Sequence, residues 1–259
     1  MTGYTIKTGQ LGKSSHKFFW YNRYHDEFEK LTQGTLIGEA WVQWRWLFIP
    51  LERGYVLLFG ECVGKILYHL LGSKLPKKYH LYITFEDDSF LTVTTQMWGT
   101  YELCEEGEEQ NRELVKGMRT TPVEPEFTYD YFSALIDELV EGKKRSAKSL
   151  LTQDQIIPGL GNAIAQDILF QARLHPRHPT SDLDIEQRRT LYDSIINTVD
   201  AVIEQGGHYD EYDLFNKRGG YMHLKDKNAV ARPCPECEGE IVKIQYLGGA
   251  CYLCPNCQS

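Results

Sequence analysis

Four cysteines near the C-terminus have the spacing of metal ligands. Cys234 and Cys237 form one Cys-x2-Cys pair, Cys254 and Cys257 form a second, and 16 residues separate the two pairs. This spacing is typical of a zinc ribbon, in which two thiolate pairs hold one tetrahedral ion. Two redox disulfides are the alternative, but so small a module generally needs a metal to fold. The sequence therefore predicts one structural Zn²⁺.

The residues between the two cysteine pairs predict a β-hairpin. Apolar residues alternate from Ile241 to Leu253 around Gly248 and Gly249, as in two strands joined by a tight turn. Cys251 falls outside the paired spacing, so we interpret it as a strand residue rather than a ligand.

A glycine-rich turn in the second half of the chain could bind phosphate. The stretch 153–176, QDQIIPGLGNAIAQDILFQARLHP, predicts that one helix ends and another starts at Asn162, with its first amides unpaired. Alone, a Gly-x-Gly before a helix is more often only a turn. The basic cluster 143–148, KKRSAK, lies one helix earlier, and the cysteine pairs follow. The combination favours a phosphate site.

Composition limits the possible functions without choosing one. The 259 residues include 28 Lys and Arg against 36 Asp and Glu, a formal net charge of −8, so binding of nucleic acid requires a local basic patch. No apolar run approaches the roughly 20 residues of a membrane-spanning helix, and no secretory signal opens the chain. We expect a cytoplasmic protein, nucleoid-associated if prokaryotic, with no membrane partner and no nucleotide cofactor.

Hydrophobic periodicity predicts an α+β multidomain protein. Strands are expected at 41–51, 55–59, 79–85 and 90–95, followed by an exposed acidic linker at 102–126. Helices are expected at 129–141, 146–151, 163–172 and 185–203. For Trp41, Trp44 and Trp46 we favour packing in the core or on a sheet face over base stacking.

The segments AKSLLTQDQIIPGLGNAIAQDILFQARLHP and CPEC…CPNCQ, ending in Gln258, resemble the formamidopyrimidine-DNA glycosylase and endonuclease VIII family. The resemblance implies an N-terminal antiparallel β-sandwich (1–121), a helix-two-turn-helix domain (122–228) and a four-cysteine zinc finger (229–259). It also implies that Lys148 and Asn162 bind phosphates beside a lesion in double-stranded DNA, and that Asp167 is an acidic structural residue.

The first half is similar to the same family but departs from it at the catalytic positions. The register places Arg45 at the family's catalytic lysine, with Tyr55 as an alternative, and Met97-Trp98-Gly99 at the lesion-probing loop. The family's N-terminal Pro-Glu is not matched, so its first catalytic helix is expected to be missing or altered. Gly249 occupies the position at which the family's zinc finger has an arginine that holds a phosphate near the lesion.

Each departure weakens an expected chemical step. Thr2 and Arg45 are the weak catalytic candidates, although Arg45 keeps a charge for a phosphate but stays protonated and cannot act as an amine nucleophile. Met97 and Trp98 have the apolar character of a wedge between bases, although burial at a strand end explains them equally well.

Three functions remain open from the sequence. We favour a protein that recognises damaged or distorted DNA with reduced or no glycosylase activity. The second hypothesis is a divergent glycosylase and apurinic/apyrimidinic lyase that uses the amine of Thr2 or of a lysine such as Lys7. The third is a protein-interaction platform, which the acidic balance would suit.

Overall fold

A computed structural model describes residues 1–12, 19–43, 46–60, 64–96, 99–111, 117, 119–139 and 145–259, and the backbone of residue 140. The predictions made for Arg45, Met97 and Trp98 fall outside the described residues. The chain forms two compact units, one comprising Met1–Met118 with Asp210–Gly219, the other Arg119–Tyr209 with Gly220–Ser259.

The first unit contains two β-sheets. Its described strands are β1 (Ile6–Leu11), β2 (Phe19–Tyr21), β3 (Trp41–Gln43), β4 (Trp46–Leu51), β5 (Tyr55–Gly60), β6 (Gly64–His69), β7 (Leu81–Phe85), β8 (Phe90–Thr95) and β9 (Gly99–Glu105). One sheet has the order β1-β7-β8-β6, and the other has the order β2-β9-β5-β4-β3. The α-helix α1 (His25–Thr32) packs against β1.

Apolar residues from both sheets build one shared core. Alternate residues of β7 (Leu81, Ile83 and Phe85) are buried against residues such as Leu57 and Leu103 of the other sheet. This alternation is the period-2 pattern of a strand with one face in the core. The two sheets therefore form a sandwich, as the sequence predicts.

Two local predictions in this unit are wrong. The expected single strand 41–51 is two strands, because β3 pairs antiparallel with β4. The acidic stretch does not begin as an exposed linker, because β9 continues to Glu105 and pairs with both β2 and β5. Glu102, in the middle of β9, is only 5% exposed. Glutamate is rarely buried, so charge content misidentified this strand.

The tryptophans that the structure describes pack on the sheet. Trp46 is buried, and the ring occupies the space that a Cβ at Gly60 would need. Trp41 stacks face to face on Phe48, with ring centroids 5.1 Å apart. The prediction of packing is confirmed for these two residues, and Trp44 lies outside the described residues.

The second unit is helical before the cysteine pairs. Its helices are α2 (Tyr129–Val140), α3 (Ala147–Thr152), α4 (Asn162–Gln171) and α5 (Ile185–Glu204). Ser146 and Asp184 start α3 and α5 as reciprocal capping boxes, each accepting from a backbone N–H three residues later. All four helices lie within two residues of the predicted bounds over the described residues, because the apolar positions repeat at helical spacing.

A two-stranded ribbon ends the chain. Strands β10 (Val242–Tyr246) and β11 (Gly249–Leu253) pair antiparallel around Leu247 and Gly248, which both have positive φ. Two consecutive left-handed residues are the requirement of a two-residue hairpin turn, which glycine meets without strain. Cys251 lies in β11 opposite Ile244, as the predicted hairpin requires. Of the helices described, none has the length and apolar character to cross a membrane.

Candidate metal centre and nucleic-acid interface

The four cysteines of the two Cys-x2-Cys pairs converge on one point. The Sγ atoms of Cys234, Cys237, Cys254 and Cys257 all lie within 4.8 Å of one another. Cys234 Sγ lies 3.8 Å from Cys257 Sγ, and Cys237 Sγ lies 3.5 Å from Cys254 Sγ. Zinc–sulfur bonds of about 2.3 Å in a tetrahedron place sulfur atoms about 3.8 Å apart. The donor set and its geometry fit a structural zinc ion.

Ionisation of the thiols also favours a cation at this centre. Burial opposes ionisation of Cys234, but hydrogen bonds from the backbone at Glu236 and Cys237 and from neighbouring thiols lower its pKa to about 7. Burial and the neighbouring thiols raise the pKa of Cys257 to about 12. Without a positive charge the four thiols cannot all become thiolates near neutral pH, and a divalent cation supplies that charge.

Gln258 joins the metal centre to the helical region. Its side chain is buried, accepts a hydrogen bond from Cys254 N at 3.0 Å and donates one to Leu174 O at 3.0 Å. Gln166 makes a similar link, since it accepts from Tyr252 N at 2.7 Å. The family resemblance indicated Gln258. Gln166 was not predicted, because a glutamine in a helix does not by itself indicate a contact with another element.

The predicted phosphate-binding residues come together with Gly249. A Cβ atom built on Gly249 would lie 3.6 Å from Asn162 Oδ1 and 3.7 Å from Lys148 Nζ. Asn162 is the first residue of α4, and within the described chain no side chain caps that helix. The first amides of α4 therefore face the same region as the lysine ammonium. Three residues far apart in the sequence thus surround one point.

The ammonium of Lys148 lacks a carboxylate partner among the described residues. Lys148 is only 1% exposed, and its Nζ donates to the carbonyl of Tyr246 at 2.7 Å. A buried charge is normally paired with an opposite charge, because leaving water is costly. One carbonyl compensates this cost only in part, so an anion that approaches the ammonium would be stabilised there.

Asp167 is the centre of a buried hydrogen-bond cluster. Its carboxylate is fully buried and accepts from Lys225 N at 2.8 Å and from Tyr221 Oη at 3.0 Å. His223 Nδ1 lies 3.3 Å from the same carboxylate. The acid therefore fixes the segment 221–225 on α4, which agrees with the structural role implied by the resemblance.

Replacement of Asp167 with asparagine is expected to destabilise the second unit. An amide retains the shape but loses the charge and one acceptor, so we expect the free energy of unfolding to fall by about 2 kcal/mol. Chemical denaturation followed by circular dichroism measures this change. Asp193→Asn, at an exposed position of α5, is the matched control, and equal effects of the two substitutions would contradict the assignment.

The N-terminal segment that follows Thr2 lies beside the turn between β7 and β8. Thr5 O accepts a hydrogen bond from Glu86 N at 3.1 Å, which places the N-terminal segment beside the turn that precedes β8. Glu86 and Asp87 are the carboxylates beside this segment, where they line a cavity of about 280 Å³.

Lys7, the second candidate amine, is held in its charged form. Its Nζ lies 2.6 Å from Asp88 Oδ1, and the hydrogen bond and charge of Asp88 raise the pKa of Lys7. A protonated amine cannot attack a sugar carbon.

The chain is similar to known proteins of one family. The model of the formamidopyrimidine-DNA glycosylase H2TH domain matches residues 119–212. A formamidopyrimidine-DNA glycosylase from Lactobacillus delbrueckii subsp. bulgaricus is 32% identical over 268 residues, covering 98% of this chain and 95% of the relative. The chain belongs to the formamidopyrimidine-DNA glycosylase family. A formamidopyrimidine-DNA glycosylase from Streptococcus thermophilus is 29% identical over 217 residues, which cover 82% of this chain and 78% of the relative.

Solved structures of the family confirm the fold class. A Lactococcus lactis Fpg in complex with DNA that contains an abasic site superimposes with a TM-score of 0.84 at 22% identity, covering 100% of this chain and 94% of that one. A complex of a mutant Lactococcus lactis Fpg with Fapy-dG DNA has the same TM-score and identity, covering 99% and 93%. The α+β fold of sheets, helix-two-turn-helix domain and four-cysteine ribbon is therefore confirmed.

Proposed function

We propose that the protein binds damaged double-stranded DNA in base excision repair, and that its glycosylase activity is reduced or absent. One observation supports the proposal of DNA binding. Lys148, the start of α4 at Asn162 and the Cβ direction of Gly249 converge on one point. A buried ammonium and a helix N-terminus that face one point match the charge and donors that a phosphate requires. The relatives' names and the DNA complexes of the structural neighbours support duplex DNA as the source of that phosphate.

The four thiols would hold one structural zinc ion, which keeps the hairpin β10–β11 folded next to α4. Zinc supplies folding energy at such a site, and no step on DNA depends on it here. The three-domain division at 121/122 and 228/229 is also a proposal. The family match that begins at residue 119 supports its first boundary.

Reduced activity is supported by the candidate amines. Lys7 is ion-paired, and Arg45 has a guanidinium that stays protonated. Schiff-base chemistry needs an unprotonated amine close to the sugar and an acid that opens the ring. Met97 and Trp98 are proposed to wedge into the base stack.

A divergent but active glycosylase and lyase is the second candidate. Its support is family membership and the carboxylates of Glu86 and Asp87, which could assist an amine at the N-terminal segment. The α-amino group exposed on Thr2 after removal of Met1 would be its nucleophile.

Borohydride trapping on abasic-site DNA separates the two candidates. The polypeptide of residues 1–259 is incubated with a duplex that carries one abasic site, and both strand nicking and covalent adducts are measured on denaturing gels. We expect binding to the duplex with neither nicking nor trapping above the buffer control. Efficient trapping that is lost when one residue is added before Thr2 would establish the second candidate instead. Absence of any duplex binding would favour the interaction platform.

A further inference from the structure

The segment after α4 presents an arginine beside the proposed phosphate site, which is the region around Lys148, Asn162 and Gly249. Two carbonyls of this segment accept hydrogen bonds from the start of α3: His178 O from Ala147 N at 2.8 Å, and Pro176 O from Lys148 N at 3.1 Å. Arg177 lies between these two anchored residues and is exposed. Its backbone is therefore fixed next to the backbone of Lys148.

The side chain of Arg177 is directed towards the hairpin β10–β11. Its guanidinium carbon lies 5.1 Å from the centroid of the Tyr246 ring. Tyr246 pairs with Gly249 across the hairpin, and directly paired residues project their side chains on the same face of a ribbon. The Cβ direction of Gly249 points at Lys148 Nζ and Asn162 Oδ1. Arg177 thus stacks on the face of the ribbon that faces the phosphate site.

Arg177 has no carboxylate partner among the described residues, a feature that it shares with Arg189. Four other arginines of the second unit form ion pairs with Asp or Glu: Arg119, Arg145, Arg173 and Arg188. A guanidinium stacked on an aromatic ring keeps its N–H donors free for a planar anion. Burial, and then the nearby charge of Arg177, lowers the pKa of His175, two residues earlier.

We propose that Arg177 donates from its guanidinium to the DNA phosphate bound at Lys148 and the start of α4, in place of a side chain at position 249. The inference rests on the proposed function. A glycine at 249 leaves the space between Asn162 and Lys148 open, and Arg177 approaches this space from a different element while Tyr246 holds its side chain in place. The ligand is a phosphodiester of duplex DNA, and the contact carries no base specificity.

Salt-dependent DNA binding by single variants tests this proposal. Arg177→Ala is expected to weaken binding to an abasic-site duplex about tenfold and to lower the slope of log K against log salt by about 0.9, the value for one phosphate contact. Arg189→Ala is the matched control, because that guanidinium also stacks on a tyrosine, Tyr129, at 3.3 Å. The control is expected to change affinity less than twofold.

Restoring an arginine on the hairpin provides a second readout. A Cβ at Gly249 meets its neighbours at ordinary contact distances, so the backbone there accepts the first side-chain atom of Gly249→Arg. In the Arg177→Ala background, Gly249→Arg should restore the lost salt dependence and most of the DNA affinity. In the unaltered protein, the same substitution should increase the affinity less. Zinc content and the melting temperature are measured for every variant. Should Arg177→Ala lose zinc, Arg177→Gln, which keeps a stem over Tyr246, replaces it in the comparison.

The outcomes separate the inference from the proposed function. Equal binding by the Arg177→Ala and Arg189→Ala proteins, with weakened binding by Lys148→Met, would overturn the role of Arg177 alone. Unchanged binding by all three variants would overturn the proposed phosphate site itself. If the effects of Arg177→Ala and Gly249→Arg on the free energy of DNA binding were additive, the two positions would not contact the same phosphate. This result would also overturn the inference.

Discussion

Replacing Cys237 with serine is expected to release the metal and unfold the C-terminal ribbon. The small core under the ribbon consists of Phe170, Ala229, Ile241 and two of the ligands, Cys234 and Cys254. Such a core is too small to fold unaided, and structural zinc supplies about 10–16 kcal/mol of apparent binding free energy in finger peptides. We expect the metal content to fall from one zinc per chain to near zero, measured by atomic emission.

Cys251→Ala is the matched control for this experiment. Cys251 is as buried as the ligand Cys234, but lies outside the four-thiol cluster. Its replacement should leave one zinc per chain and cost only the packing of one small side chain, about 1 kcal/mol. Zinc retained at full stoichiometry in Cys237→Ser, or lost equally in the control, would show that the cluster is not the metal site.

Reversal of the charge of Lys148 is expected to have the largest effect on DNA binding. Lys148→Met keeps the buried stem and removes the ammonium, so we expect about a tenfold loss of affinity for duplex DNA. Lys148→Glu adds repulsion of the phosphate, and about a hundredfold loss is expected. Because a phosphate contact carries no sequence information, the loss should be the same for different duplex sequences, and the salt slope should fall by about 0.9.

Lys243→Met controls for the loss of one positive charge. Lys243 is exposed on β10, and its position in the strand alternation places it on the face opposite Tyr246. Its replacement should change affinity less than threefold. If Lys148→Met and Lys243→Met bound DNA equally well at every salt concentration, the convergent site would not be the phosphate site.

The sequence predicted the features that depend on local spacing. The paired cysteines indicated the four-thiol centre, because a tetrahedral ion needs ligands in two short turns. The apolar repeats indicated α2 to α5 nearly residue by residue, because each helix buries one face against a shared core. Charge was a poorer guide, since Glu102 lies buried in a central strand although its neighbours in sequence are acidic.

The strands before residue 39 had no distinct signal. In β1, Thr8 lies opposite Thr84 and their hydroxyls are 2.7 Å apart, so cross-strand partners complete a strand of mixed polarity. Strand β2 has three residues and pairs with β9 alone. Such strands form because the neighbouring strand supplies the hydrogen bonds, and a local pattern does not encode that neighbour.

The sequence by itself determined the ligand types, the helices, and the presence of Lys148 and Asn162 in a recognisable order. Only the tertiary structure decided that these two residues and Gly249 surround one point, that Arg177 stacks on Tyr246 beside it, and that Lys7 forms an ion pair with Asp88. The physical reason is range. Spacing along a chain determines contacts within a turn or a helix, whereas contacts between residues far apart in the sequence depend on how whole elements pack.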